Sequence, residues 1–277
     1  MFGTALIVFR EVLEAALIIG VIAAATRAIP GRSRWLVGGA LLGLVGAGLV
    51  AASMEAIASF ADGVGQEIFN ASILGAAVLM LAWHSIWMAS HGRAMAMEAR
   101  SMGAAISDGR KTLAVMLVVV AVAVLREGAE TVLFLYGVSL SGKSGTLDML
   151  IGGAMGVAGG AIVGVALYAG LLRIPVRWFF SATSALVLLL AAGMAAQAAR
   201  FLVQADILPS LQTPLWDLTG VLPNDSALGT LLHGLIGYDA SPAGIQVLFY
   251  VAAAMAIGIG MQWVKTQQST VKRSINS

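Results

Sequence analysis

The pattern Arg-Glu-x-x-Glu occurs twice, as Arg10-Glu-Val-Leu-Glu14 and as Arg126-Glu-Gly-Ala-Glu130, each time inside an apolar run long enough to cross a bilayer. A charged side chain at mid-bilayer costs about 2.5 to 3.5 kcal/mol on insertion scales, so three in each of two such runs need partners and a purpose. The two glutamates of each copy are three positions apart, on one helical face, and the arginine stands one turn before the second of them. At about 1.5 Å per residue, Glu14 lies about 18 Å into its helix and Glu130 about 27 Å into a longer one. Both are deep. A chain with this feature folds as an all-α polytopic membrane protein that turns its charges inward.

Composition agrees. Of 277 residues, 59% are apolar and 11% charged, against about 25% charged in a soluble domain, which excludes a soluble enzyme. There is no cysteine, so disulfides, thiolate metal sites and Cys nucleophiles are excluded together. A net charge of +2 gives no reason to expect a nucleic-acid partner. Seven spans are expected, near Phe2 to Ala28, Trp35 to Ala61, Glu67 to Ser90, Thr112 to Leu140, Leu147 to Leu172, Trp178 to Gln204 and Pro242 to Val264. The first is no cleavable signal peptide, because Arg10, Glu11 and Glu14 interrupt it. Residues 1–264 read as a single transmembrane domain and 265–277 as a tail.

Orientation follows from the short loops. Twelve Lys and Arg residues fall in the loops after spans 1, 3 and 5 and in the tail, while the opposite loops hold Lys143 alone with seven acids. The N-terminus is expected outside and the C-terminus in the cytoplasm. The chain also repeats itself, over about 1–92 and about 112–204. Besides the charged motif, the ladder Gly39, Gly43, Ala47, Ala51 ending at Glu55 pairs with Gly152, Gly156, Gly160, Gly164 ending at Tyr168. At the same offset His84, Trp87 and His91 pair with Gln197, Arg200 and Gln204. Three spans separate the copies, so the second is inverted. An inverted 3+3 repeat with a seventh helix added is a plan of secondary transporters, whose site lies at the repeat interface.

Two motifs facing each other across that interface offer four carboxylates, Glu11, Glu14, Glu127 and Glu130, oriented by Arg10 and Arg126. Carboxylate oxygen suits a hard multivalent cation. R-E-V-L-E-A-A-L-I-I-G and R-E-G-A-E-T-V-L-F-L-Y-G resemble the two R-E-x-x-E helices of the high-affinity iron permease family, and the segment from His233 through Tyr238 to Pro242 resembles the loop before that family's last helix. The resemblance implies a permease carrying Fe2+ or Fe3+ inward, with the four glutamates as ion ligands and no cofactor. It also implies a bacterial inner-membrane location, a lipid environment and an extracytoplasmic iron-oxidising or iron-delivering partner. In its first copy the motif departs from the more usual R-E-G-x-E, with Val12 in place of Gly.

Other polar residues are candidates for a pathway. Glu55 and Gln197 belong to the outer half, and His84 and His91, on one face of the third span, to an inward exit. Asp217, Asp225 and Asp239 lie in an acidic outer loop over 205–241 that holds no Lys or Arg. Met95, Met97 and Met102 read as part of an amphipathic cytoplasmic helix. No nucleotide-binding motif is present, so energy comes from a gradient, the membrane potential or a partner. Mn2+ or Ca2+ would also suit oxygen ligands. A di-metal oxidoreductase fits less well, since neither His84 nor His91 follows a glutamate at the Glu-x-x-His spacing.

Overall fold

A computed structural model describes residues 1–60, 65–141, 145–169 and 176–275, without the side chains of 55–60, 88–96, 141, 176–181, 265 and 267–275. These residues form helices α1 (Phe2–Ala25), α2 (Arg32–Phe60), α3 (Gln66–Ser107), α4 (Leu113–Ser141), α5 (Thr146–Tyr168), α6 (Val176–Gln204), α7 (Ala227–Ile236) and α8 (Gly244–Ile275), with no strand among them. Five segments are long and apolar enough to cross a membrane: Arg32–Met54, Gln66–Trp87, Thr146–Tyr168, Ala182–Gln204 and Gly244–Val264. With 24 and 29 residues, α1 and α4 have the length too, but each carries the three charges of its motif. Large apolar side chains such as Leu49, Leu79, Trp83, Val122 and Ile162 face outward, while Arg10, Glu11, Glu14 and Glu127 are buried. That inside-out distribution is what a lipid solvent selects, and the chain is a multi-pass membrane protein.

The bundle is built from two interlocked pairs, α1 on α5 and α2 on α4, joined through α3 on α6. Both pairs use the glycine ladders in the same way. A Cβ added at Gly39 would stand 2.6 Å from Leu117 O and 2.9 Å from Val120 Cβ; one at Gly43 would stand 2.7 Å from Ala121 O and 2.6 Å from Val124 Cβ. In the other pair a Cβ at Gly152 would collide with Met1 O and press on Thr4, and one at Gly156 would stand 2.7 Å from both Ala5 O and Val8 Cβ. Missing side chains let the backbones touch, the usual way that membrane helices gain packing without a hydrophobic drive between them.

At the third rung the two pairs differ. On the α1–α5 side the glycine is on the ladder, Gly160, where a Cβ would meet Val12 Cβ at 2.9 Å. On the α2–α4 side the ladder carries Ala47 and the glycine is in the motif, Gly128, whose added Cβ would meet Ala47 Cβ at 2.5 Å. Val12 is therefore accommodated by Gly160.

Some boundaries differ from expectation. The first helix stops at Ala25 rather than Ala28, where the Thr26 hydroxyl donates to Ile22 O at 2.8 Å and the chain turns through Gly31 at φ 73°. α3 runs past residue 92 to Ser107, and its Ala99, Met102 and Ile106 pack with Ile22 and Met116. The amphipathic segment expected around the methionines thus continues α3; the side chain of Met95 is outside the described set. Likewise α8 extends through the expected tail to Ile275.

The loop over 205–241, expected outside, is held by its own hydrogen bonds. The N–H groups of Leu215, Leu218 and Gly244 donate to Pro242, Ala240 and Gln212 carbonyls, each at 2.8 Å. Within it α7 begins at a Ser226 cap, whose hydroxyl accepts from Gly229 N–H at 3.0 Å, and ends at Gly237, left-handed at φ 70°. Gly237 lies backbone to backbone against Gly193, three turns inside the end of α6, and Gly234 against Gly3 of α1. The Tyr250 hydroxyl of α8 donates to Ile236 O at 2.8 Å. α7 is a half-helix that dips into the bundle between α1 and α6.

Candidate metal centre

Both motifs converge on one place. α1 brings Arg10, Glu11 and Glu14, α4 brings Arg126, Glu127 and Glu130, and apolar clusters close the site above and below. On α1, Ile7 packs into one cluster and Ile22 into the other; on α4, Phe134 and Val138 belong to the first, Val120 and Val124 to the second. Each motif is held first by its own arginine. Arg10 Nε lies 3.0 Å from Glu14 Oε1 and Arg10 Nη1 3.7 Å from Glu11 Oε1. Arg126 donates from Nε to Glu127 Oε1 at 2.9 Å, with Nη2 2.7 Å from the same oxygen, and its Nε is 3.6 Å from Glu130 Oε1.

His84 of α3 stands between them. Its Nδ1 lies 2.5 Å from Glu130 Oε2 and its Nε2 3.5 Å from Glu14 Oε2, so one imidazole touches both copies of the motif. Expected from the sequence on an inward exit, His84 is instead 4% exposed and central. One ligand atom from each of Glu11, His84, Glu127 and Glu130 can be chosen so that all four lie within 4.8 Å of one another. Donors on opposite sides of a first-row divalent ion stand about 4.2 Å apart, so small side-chain shifts close this group around an ion. Glu14, expected as a fourth carboxylate ligand, lies outside the group, between Arg10 and His84.

The cluster is unsatisfied as it stands. Oε2 of Glu11 and of Glu127 are buried and have no hydrogen-bond partner, and Glu130 Oε2, also buried, has His84 Nδ1 beside it. A buried carboxylate oxygen without a donor costs several kcal/mol, which a bound cation would offset. The enclosure is also uneven: the Arg10 side chain is 1% exposed and that of Arg126 35%, with its guanidinium 5.4 Å over the Trp87 ring.

The remaining candidates lie elsewhere. The side chains of Glu55 and His91 fall outside the described residues. Gln197 is half-buried on α6, outside the four-ligand group. Asp239 lines a cavity of about 580 Å³ with Arg200, Gln204, Asn224 and Gln246, and accepts from Asn224 Nδ2 at 3.0 Å and from Ser241 N–H at 3.2 Å. Asp217 is exposed and accepts from the Thr219 hydroxyl at 2.6 Å and N–H at 2.9 Å, which hold its carboxyl below the usual range. Asp225 is exposed. One signal could have placed His84: it is the only ionisable residue of α3 between Glu67 and His91, and a lone ionisable group in a membrane span is a functional candidate by default.

Comparison with known proteins agrees with the resemblance drawn from the motif helices. The sequence profile of the Iron permease FTR1 family matches residues 1–267. The ferrous iron permease EfeU of Yersinia pestis is 32% identical over 255 residues, covering 90% of this chain and 89% of the relative. The ferrous iron permease EfeU of Shigella sonnei (strain Ss046) is 31% identical over 268 residues, covering 94% of this chain and 96% of the relative. No solved structure matches the chain.

Proposed function

This chain belongs to the Iron permease FTR1 family, and from that premise we propose that it is a transporter, not an enzyme, that carries iron into the cytoplasm across a bacterial inner membrane. The ion rests at mid-membrane on carboxylates of both Arg-Glu-x-x-Glu motifs. The observation that carries this reading is the pair of buried oxygens without donors, on Glu11 and Glu127, within the group of four ligand atoms that Glu130 and His84 complete. They come from two helices and face one point, which a purely structural Arg–Glu network has no reason to arrange. Four carboxylates and two arginines leave a formal charge of −2, matched to a divalent ion. The relatives described as ferrous permeases support Fe2+ as the cargo.

In this reading α1 to α6 and α8 make seven crossings of one permease domain, with the N-terminus outside, the second repeat inverted on the first and α7 re-entrant from the outer face. The Ile7–Phe134 cluster then closes the site outward, and the side of Arg126 and Trp87 leads inward. An extracytoplasmic partner that oxidises or delivers iron would meet the ordered loop around Asp217, Asp225 and Asp239.

Uptake into proteoliposomes tests the reading, with Fe2+, Fe3+, Mn2+ and Zn2+ compared. Fe2+ enters fastest, and Glu127→Gln, which keeps shape but removes a charge, abolishes uptake; undiminished uptake in that variant would sink the proposal. Because the chain has no cysteine, single thiols test the topology. Val221→Cys is labelled from outside and Ser107→Cys only after permeabilisation.

A further inference from the structure

We infer that His84 is itself an ion ligand, through Nδ1, and that this nitrogen makes the site select first-row transition ions over Mg2+ and Ca2+. The inference rests on the iron-permease reading and names what chooses the ion. Its basis is the geometry around the ring. Nδ1 faces the cluster, 2.5 Å from Glu130 Oε2, and His84 is a member of the four-ligand group. Nε2 faces away, toward Glu14, the motif carboxylate outside that group, 3.5 Å distant. Glu14 in turn has its Oε1 3.0 Å from Arg10 Nε. Arg10, Glu14 and His84 thus make a chain in which a carboxylate backed by an arginine meets the far nitrogen of a ligating imidazole. That is how metal-bound histidines are oriented: the outer partner fixes the ring and raises the basicity of the ligating nitrogen. Glu14 is a positioning residue in this scheme.

The donor set becomes three carboxylates and one imidazole. Carboxylates alone suit Mg2+, Ca2+ and Mn2+, whereas imidazole suits Fe, Zn, Ni and Cu, so one nitrogen among three oxygens tilts the site toward transition ions without a soft sulfur. The repeat cannot supply the nitrogen twice, because the position matching His84 in the second copy is Gln197, an amide. Selectivity then belongs to the interface between the repeats and to α3 alone.

Pulsed EPR of Mn2+ bound to the purified full-length protein in nanodiscs reads the nitrogen directly. The chain has only three histidines, His84, His91 and His233. Wild type gives an imidazole 14N modulation; it persists in His91→Gln/His233→Gln, where His84 is the sole imidazole, and disappears in His84→Gln. Ca2+ displaces Mn2+ more effectively from His84→Asp, which restores an oxygen donor, than from wild type. Mn2+ binding that depends on Glu127 but carries no nitrogen modulation, or modulation lost in the double variant, overturns the ligand role of His84 and leaves the iron reading standing. Binding that survives Glu127→Gln overturns the iron reading itself, and this inference with it. If His84→Gln fails to fold, the double variant still decides.

Discussion

The two copies of the motif have the same charges and are not the same site. In the first, Arg10 is sealed at 1% exposure, only Glu11 joins the ligand group, and Glu14 is turned toward Arg10 and His84. In the second, Arg126 is 35% exposed and stacked near Trp87, and both Glu127 and Glu130 join. Sequence symmetry thus sets where the charges stand, while the neighbours decide what each does. α7 packs on α1, with Gly234 against Gly3, and among the described residues no such short helix packs on α4. In an inverted repeat, an exchange of these two environments would carry the site from one face to the other.

The largest effect that would sharpen this comparison is expected from the second glutamates. Glu130→Gln removes a ligand and abolishes uptake, whereas Glu14→Gln leaves an acceptor for His84 and lowers the maximal rate several-fold. Equal loss in both, measured as Fe2+ uptake at matched protein levels, would make the motifs equivalent. Next come the arginines. Arg10→Lys loses the planar fork in a sealed site, and breaking a buried pair costs about 3 to 5 kcal/mol, so thermal stability and uptake both fall sharply. Arg126→Lys, less enclosed and beside Trp87, keeps the fold and loses part of the rate. A reversed order would mean that exposure does not track function. The smallest effect is in packing. Gly128→Ala forces a Cβ onto Ala47 and destabilises by about 1 to 3 kcal/mol, and Ala47→Gly in the same chain recovers most of the melting temperature. On the other side Gly160→Ala is rescued by Val12→Gly only in part, because the added Cβ also stands 2.8 Å from Phe9 O.

Much of this was legible in the residues. The charged motif in apolar runs gave membrane helices, the small-residue ladders named the faces that interlock, and the motif helices pointed to the family. His84 was read as a pathway residue because helical periodicity gives the face of a side chain but not its level against another helix; only the crossing of α1, α3 and α4 fixes that. Val12 looked like a departure from the pattern because the compensating residue, Gly160, is on a helix far away in sequence. Apolar residues such as Leu231 and Leu232 mark the loop as one that lies on or dips into a membrane surface, but the bounds of α7 escape because a half-helix of 10 residues is too short to signal a span.

The pairing inside α1 has a consequence for how the protein is made. A chain that emerges N-terminus first presents Arg10, Glu11 and Glu14 to the insertion machinery before α3 or α4 exists. His84 and the second motif cannot help at that moment. The contact of Arg10 with Glu14 one turn further on, 3.0 Å apart, needs no other helix, so two of the three charges can enter the lipid already neutralised. What remains is the single charge of Glu11, which waits at the insertion site for partners still on the ribosome, so Arg10 serves the insertion of α1 as well as the site.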